Sequence, residues 1–321
     1  MAATPLWFVR PGYIDSEGVG KDALDKEMDA LVKVANQTVM QGLQFFRTVT
    51  TVTDTYKESG YGDDLQLPPR SEDSARMPTG TPSPDYLREL TVVNRRLAVQ
   101  VERSFTEDQK FDVARKMMGG LLRVGLLSIE YGCADIINNL STDSAAYRGG
   151  DGVPLVDSSH PHRLEEGGTW DNEETAAALT TANLFTMFKN MRKRTDTRGY
   201  INPMKPRLVA VPPDMEKKMA EIKSSVLVPE NSLNAKNVVP TLGGGWTWMV
   251  YDYFTSTTSY LCCADVPADQ NGLLYVEKVR PSVAPLEGAD KSTDIIWGQR
   301  LRMRVAFGGR HGRSIQLNAG A

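Results

Sequence analysis

Apolar residues recur at helical spacing over two long stretches of the chain. Residues 22–47 carry them at intervals of three, four or seven, which predicts an amphipathic helix near the N-terminus. The second stretch, residues 106–138, opens with a capping box formed by Thr106 and Gln109. Its apolar residues cover more than one face, so we expect a long helix that is buried along much of its length.

Two strand-like stretches lie between these helices. Residues 48–56 are rich in β-branched residues, and residues 90–101 read as a strand that returns. The intervening segment, residues 58–89, contains five prolines and three glycines and few apolar residues. A segment of this length and composition cannot build a core, so we expect it to project as an excursion.

A shorter helical region follows the polar, glycine-rich connection of residues 141–171. Asp171 or Asn172 can cap a helix that runs to about Arg194. The side chains expected to point inward from it are Leu179, Leu184, Phe185, Phe188 and Met191. A buried strand is predicted at 207–211, followed by a helix after Pro212 and Pro213.

From Trp246 onward the pattern predicts mainly β structure. The predicted strands are residues 246–254, 259–264, 273–279 and 295–307. The last alternates, with one face formed by Leu301, Met303, Val305 and Phe307 and the other by Arg300, Arg302 and Arg304. Together with the helices, these strands predict an α+β fold.

Composition and charge narrow the class of protein. Hydrophobic residues make up 40% of the 321 residues and charged residues 24%, as in an ordinary folded protein. The 37 Lys and Arg against 40 Asp and Glu give a net charge of -3. A dedicated duplex-DNA binder carries a basic excess, so high-affinity nucleic-acid recognition is disfavoured and only weak DNA contact stays open.

The three cysteines, Cys133, Cys262 and Cys263, form no CxxC pair. An odd count does not make a disulfide framework, so we expect them to be reduced and mostly buried, with the adjacent pair on opposite faces of a strand. The chain has no apolar run of about 18 residues and no N-terminal signal pattern. These features predict synthesis in the cytoplasm and no membrane span.

Sequence motifs for catalysis are absent. The chain has no phosphate-binding loop, no GxGxxG, no HExxH and no GxSxG, so we assign no catalytic, cofactor-binding or metal residues and expect no enzymatic activity. His160 and His162 with Asp157 form at most a partial metal site. Because no third ligand pattern accompanies them, a polar loop with two surface imidazoles is favoured.

Two further groups of residues have more than one interpretation. The Arg300, Arg302 and Arg304 row, extended by Arg310, His311 and Arg313, can bind phosphates. The acidic overall balance favours a solvated or subunit-facing surface instead, and whether the row faces DNA or a neighbouring subunit stays open. Trp246 and Trp248 are predicted to pack in the core or anchor an interface rather than to form a ligand platform.

The block from Asp151 to Val211 carries an ordered series of short motifs. A DG-x-PL segment precedes Ser-His-Pro, and a Gly-Thr-Trp turn leads into an Ala- and Leu-rich helix. A Thr-Asp-x-Arg-Gly turn, a Pro-Arg-Leu-Val strand and Val-Pro-Pro follow. Asn237–Val238 and the strand from Trp297 to Phe307 complete the series. In this order the chain resembles the Mu-like major head subunit family and related tailed-bacteriophage capsid proteins.

This resemblance implies the Hong Kong 97-like capsid fold. Its expected parts are an N-terminal arm with a helix at 1–47, an extended β-hairpin loop at 48–101, a peripheral domain with the spine helix at 102–171, an axial domain at 172–270, and return strands of the peripheral domain at 271–321. The implied function is a major capsid protein that self-assembles into the icosahedral head shell around double-stranded DNA. A cellular compartment shell of the same fold, an encapsulin, is the alternative.

The resemblance also implies partners. They are other copies in pentamers and hexamers, a separate scaffolding protein, a portal, a decoration protein and non-specific contact with packaged DNA, in a virion assembled in the bacterial cytoplasm. A separate scaffold is expected because the chain has no extra N-terminal scaffolding domain. Some members of the fold crosslink subunits through a lysine on the extended loop. The chain has no lysine between Lys57 and Lys110, so this crosslink is expected to be absent.

Overall fold

The structure is a computed structural model. It describes residues 40–58, 88–101, 111–161, 168–174, 176–195, 200–230, 235–265, 272–285, 295–307 and 312–320. Most of the predicted N-terminal helix, the Thr106 capping box, the outer part of the predicted excursion, His162, and Arg310 with His311 lie outside these residues.

The described helices and strands follow one another in the order of a mixed fold. The helices are α1 (Phe111–Asn138), α2 (Thr181–Arg192) and α3 (Glu216–Ser224). The strands are β1 (Arg47–Thr50), β2 (Thr55–Glu58), β3 (Arg88–Thr91), β4 (Val93–Val101), β5 (His160–Pro161), β6 (Thr169–Trp170), β7 (Glu173–Glu174), β8 (Pro206–Val211), β9 (Thr247–Val250), β10 (Tyr260–Ala264), β11 (Leu273–Pro285), β12 (Ile295–Phe307) and β13 (Ile315–Asn318). Short 3-10 helices lie at Gly42–Phe45, Pro213–Met215, Val239–Gly244 and Gly312–Ser314.

Helix α1 is the longest described element, and it ends at Asn138 as predicted. Its 28 residues span about 42 Å at 1.5 Å per residue. Met118, Leu121, Leu122, Ile129 and Ile137 on it are buried. Side chains of this helix therefore pack in the same core as residues of both sheets described below.

The first sheet has four strands in the order β1-β11-β12-β4. β1 runs parallel to β11, whereas β11, β12 and β4 are antiparallel neighbours. β11 and β12 are 13 residues each, longer than the 273–279 strand predicted for the former. The predicted alternation on β12 is confirmed, because Leu301, Met303 and Val305 are buried on the side of α1.

The second sheet has five strands in the order β7-β13-β10-β8-β9. β10 is antiparallel to both β13 and β8, and β9 and β7 add in parallel at the two edges. The chain thus divides residues 271–321 between two sheets, since β11 and β12 lie in the first and β13 in the second.

The second sheet separates two hydrophobic cores. Cys263 packs toward a core shared by α1 and both sheets, and Cys262 packs toward a core formed with α2 and α3. The expectation that the adjacent cysteines point to opposite faces is therefore confirmed, and Cys133, Cys262 and Cys263 are free thiols. Burial raises the pKa of the Cys263 thiol to about 12, so this thiol is neutral at physiological pH.

The α2–α3 core contains both tryptophans discussed above. Trp246 is 3% exposed and donates its indole N–H to the Val239 carbonyl at 2.9 Å. Its ring meets that of Phe188 edge to face, with centroids 5.4 Å apart. Trp248 is partly buried against the same core. Core packing, one of the two roles predicted for this pair, is confirmed.

Several of the predicted boundaries are wrong. The end of the predicted helix 22–47 is a 3-10 helix followed by β1, the predicted strand 90–101 is divided between β3 and β4, and the predicted strand 246–254 is only β9. α2 begins at Thr181, not near Asn172, because the Thr180 hydroxyl accepts the Asn183 N–H and caps the helix there. Phe185, predicted to point inward, is 46% exposed. The predicted strand 48–56 is two strands, since residues 51–54 turn between β1 and β2.

Candidate assembly surfaces and a buried polar network

The base of a hairpin lies on the first sheet. β2 and β3 pair antiparallel, with Thr55 opposite Thr91 and Glu58 opposite Arg88. Leu90 and Val92 are buried on the sheet face that points away from α1, where they pack on a small cluster of Leu274, Val276 and Ala306. The paired strands β2 and β3, which flank residues 59–87 in the sequence, are therefore anchored on the first sheet.

A basic face lies beside this hairpin base. We define it as Arg96, Lys278, Arg300, Arg302 and Arg304, on the side of the first sheet opposite α1. Arg302 donates from Nη2 to Asp54 Oδ1 at 2.7 Å, and Lys278 pairs with the same carboxylate. The Lys278 hydrogen bond, followed by the charge of Arg302, lowers the pKa of Asp54. Arg302, one member of the predicted arginine row, thus forms an ion pair with a carboxylate of the same chain.

The segment Gln41–Phe46, which we term the arm anchor, docks on α1. The Gly42 N–H donates to Glu130 Oε1 at 2.6 Å. The Gln41 side chain donates to Asp252 Oδ2 at 2.9 Å and accepts the Asp252 N–H at 3.2 Å. Phe45 is 2% exposed. The chain N-terminal to residue 41 therefore starts from a fixed point on α1.

Glu130 is a buried carboxylate in this contact. Burial raises its pKa, and the hydrogen bond from Gly42 offsets part of that effect. A Cβ at position 42 would lie 2.6 Å from Cys133 Cβ and 2.9 Å from Glu130 Oε1. Only glycine permits so close an approach, so Gly42 sets the distance between arm anchor and helix.

His160 lies at the centre of a buried polar network and is 1% exposed. Its Nδ1 lies 2.7 Å from Asp151 Oδ2, and its Nε2 lies 3.1 Å from Asn172 Oδ1. The expectation of a surface imidazole is therefore wrong for His160. The loop folds inward because its polar partners satisfy the ring on both sides.

Asn172 fixes the donors and acceptors of the network. Its Nδ2 donates to the Leu155 carbonyl at 2.7 Å and to the Gly312 carbonyl at 3.0 Å, so its Oδ1 must accept. That oxygen faces the Asp157 N–H and His160 Nε2. His160 therefore lies between the Asp151 carboxylate at Nδ1 and the Asn172 amide oxygen at Nε2.

Trp170 links His160 to two arginines. The imidazole and indole rings stack with centroids 4.2 Å apart. The guanidinium carbons of Arg194 and Arg313 lie 5.5 and 5.2 Å from the indole centroid. Arg194 also donates to the Ile315 carbonyl at 3.0 Å and to Gln316 Oε1 at 2.6 Å. Burial lowers the pKa of Arg194 to about 10, so the guanidinium remains charged at neutral pH.

This network joins separate parts of the chain through buried polar contacts. It connects the 148–172 loop to α2 and to the C-terminal strand β13, and its His160 and Asn172 are buried. Asp157 bonds Ser159 through the backbone N–H and the hydroxyl rather than completing a metal site with His160. Among the described residues, no cluster of His, Cys, Asp and Glu is arranged to hold a metal.

Sequence reasoning missed most of the network. Asp151 and Trp170 were placed in a polar, glycine-rich connection, and Asn172 and Arg194 at the start and the end of a predicted helix, so none of the four was expected in a buried network. The available signal was the clustering of Asp, Asn, His and Trp within a few residues of one another. Burial of such polar groups costs free energy unless they form hydrogen bonds with one another, so the cluster indicated a hydrogen-bonded network. Gln316, on β13, gave no local signal.

No helix in the described part of the chain has the length and apolarity needed to cross a lipid bilayer.

Comparisons with known proteins place the chain in a family. The model of the phage capsid protein family matches residues 98–316, about two thirds of the chain. The chain belongs to the phage capsid protein family. None of the curated proteins matches it.

Solved structures show the same fold at low sequence identity. The chain is similar to a structure from Mycobacterium phage Bobi (13% identity, 87% of this chain and 91% of that chain covered, TM-score 0.51). A structure from Microbacterium phage Oxtober96 is similar (10%, 88% and 92%, 0.51), as is the virus-like particle from Pyrococcus furiosus (11%, 91% and 97%, 0.50). The fold is Hong Kong 97-like, and the chain is a major capsid protein that self-assembles into a shell.

Proposed function

We propose that this capsid protein builds the icosahedral head of a tailed phage through two outreaching segments that each contact a neighbour. The family match over residues 98–316 carries the proposal. It is supported by the hairpin base anchored on the first sheet and by the arm anchor fixed on α1. One subunit with two such segments contacts several others, so weak individual contacts accumulate.

The division of labour within the subunit is part of the proposal. Residues 1–47 act as an N-terminal arm and residues 48–101 as the extended loop. The segment 102–171 contains the spine helix of a peripheral domain, residues 172–270 an axial domain near the symmetry axis, and residues 271–321 strands that return. The assignment of β13 to the second sheet refines this, because the C-terminus then ties the axial part to the rest.

The proposed partners follow from this role. They are copies of the chain in pentamers and hexamers, a separate scaffolding protein, a portal, a decoration protein and packaged DNA held without sequence preference. Assembly takes place in the host cytoplasm. The chain catalyses no reaction; in support, the His160–Asp151 pair is buried and satisfied by neighbouring side chains.

Electron microscopy of the purified chain, alone and co-expressed with the scaffolding protein of the same phage, tests the proposal. We expect closed shells, rings or tubes of repeating capsomers. Particles that contain a cargo enzyme, from a locus without packaging genes, would instead favour the encapsulin alternative. A small species of uniform size under both conditions would contradict both shell functions.

A further inference from the structure

The basic face carries more positive charge than this chain neutralises. Arg96 on β4 lies directly opposite Arg300 on β12. Both side chains are exposed, and no carboxylate in the described part of the chain pairs with either. Like charges directly opposite each other destabilise a sheet. The repulsion between these two arginines is relieved only when a negatively charged group binds next to them.

The hairpin base covers only one end of this face. Arg302 and Arg304 are partly buried, and Asp54 on the turn before β2 pairs with Arg302. Farther along β12, away from the hairpin base, Arg300 and its neighbour Arg96 are open. β4 is also an edge strand, so a partner can approach these arginines from the side of the sheet as well as from above.

We propose that the basic face is a contact between copies, where Arg96 and Arg300 receive acidic side chains of a second copy of this chain. This inference rests on the proposed function, because a shell requires contacts between copies and the basic face supplies one of them. Among the residues that the structure describes on this face, five cationic side chains meet one carboxylate, that of Asp54, although the whole chain has a net charge of -3. The rest of each copy therefore has a more negative net charge than the chain as a whole. That negative charge is complementary to the basic face.

The alternative partner is DNA, and the charge distribution disfavours it. A domain that binds duplex DNA combines a basic patch with a basic isoelectric point, above about 9. This chain has the patch but an isoelectric point of about 5.8. The basic face is small and the rest of the chain is acidic. This charge distribution is complementary to the acidic surface of another copy rather than to duplex DNA. Head-to-tail contact between two different surfaces of identical subunits is the kind that closes rings.

The experiment reverses the two open charges in the full chain. Arg96→Glu with Arg300→Glu is compared with Arg123→Glu, which reverses an exposed charge on α1, on the other side of the same sheet. Sedimentation velocity over a concentration series at low and high salt measures the concentration at half-assembly. Circular dichroism measures folding, and an electrophoretic shift with duplex DNA measures DNA binding.

We expect the double reversal to fold normally and to raise the concentration at half-assembly at least tenfold, while the α1 control stays within twofold of wild type. Wild-type assembly should weaken with salt. If the double reversal does not fold, Arg96→Gln with Arg300→Gln removes the charges without adding carboxylates, and a severalfold rise is expected.

Three results would overturn the inference. Unchanged assembly of the folded double variant shows that this face makes no contact between copies. Unchanged assembly with loss of DNA binding identifies DNA as the partner. A wild-type chain that stays monomeric at every concentration, alone or with its scaffold, refutes the proposed function and this inference with it. Failure of the variant comparison alone leaves the proposed function standing.

Discussion

At the scale of single residues, buried polar side chains determine how loops and termini attach to the fold. Glu130 receives the Gly42 N–H, and Asn172 joins two backbone carbonyls to His160. Neither side chain was predicted to be buried, since an isolated Glu or Asn in a sequence is usually exposed. The alternation on β12 was predictable, because a strand places successive side chains on opposite faces.

Replacement of Glu130 by Gln should change the pH dependence of stability. Burial raises the pKa of Glu130, so the folded chain binds this proton more tightly than the unfolded chain. Ionisation of the group therefore lowers wild-type stability as pH rises from the ordinary glutamate pKa through the raised folded value. We expect the Gln variant to gain stability relative to wild type at neutral pH, and the gain to vanish below about pH 4.

Chemical denaturation of both proteins at a series of pH values measures this difference. Glu89→Gln provides a control at an exposed carboxylate, for which a constant small difference is expected. A Glu130→Gln difference that grows toward acidic pH would show that the folded state favours the carboxylate and that our assignment is reversed.

The Asn172→Asp variant tests the hub of the polar network. Aspartate cannot donate to the Leu155 and Gly312 carbonyls, and it places a buried charge against them. We expect a loss of about 3 kcal/mol in the free energy of unfolding. Asn94→Asp, at an exposed position on β4, should change it by less than about 0.5 kcal/mol. Equal effects at the two positions in denaturant titrations would contradict the role of Asn172.

At the scale of elements, local pattern predicted long and strongly periodic segments well. α1 ends where expected, and β8, β10 and β12 lie at their predicted places. The start of α2 was wrong because Asn172, the apparent cap, serves tertiary hydrogen bonds instead, and Thr180 caps the helix. The turn at residues 51–54 was missed because Thr and Val favour strands regardless of where the chain must bend.

The docking of the arm anchor on α1 can be tested with two glycines. Gly42→Ala places a Cβ against Cys133 and Glu130, so we expect a loss of about 2–3 kcal/mol. Gly120→Ala, at an exposed position in α1 with no atom near the new Cβ, should gain about 1 kcal/mol from helix propensity. Thermal unfolding compares the two. A neutral Gly42→Ala would mean that the arm anchor is not held at this distance.

At the scale of the whole molecule, the fold class and family followed from the order of elements and from the Asp151–Val211 motifs. The sheet to which β13 belongs could not be predicted, because its partners β10 and β7 lie about 50 and 140 residues earlier in the chain. No local pattern encodes such a pairing. Residues of the motif block form the polar network that joins the loop around His160 to the C-terminal segment of residues 312–318.

Covalent crosslinking is a property of the assembled particle. Within the extended loop of residues 48–101 the one lysine is Lys57, which lies at the hairpin base and pairs with Glu89. Residues 58–109 contain no lysine, so the part of the loop beyond its base cannot supply one to an isopeptide bond. We expect particles boiled in denaturant to run as a 35.4 kDa monomer on a gel. A ladder of multimers that persists after reduction would contradict this prediction.

The mass distribution of the purified chain tests the central claim most directly, because a shell subunit acts only through contact with its own copies. Sedimentation velocity in the presence of the scaffold should show closed particles many times larger than the 35.4 kDa chain. A single monomeric boundary that persists at all concentrations would contradict the account.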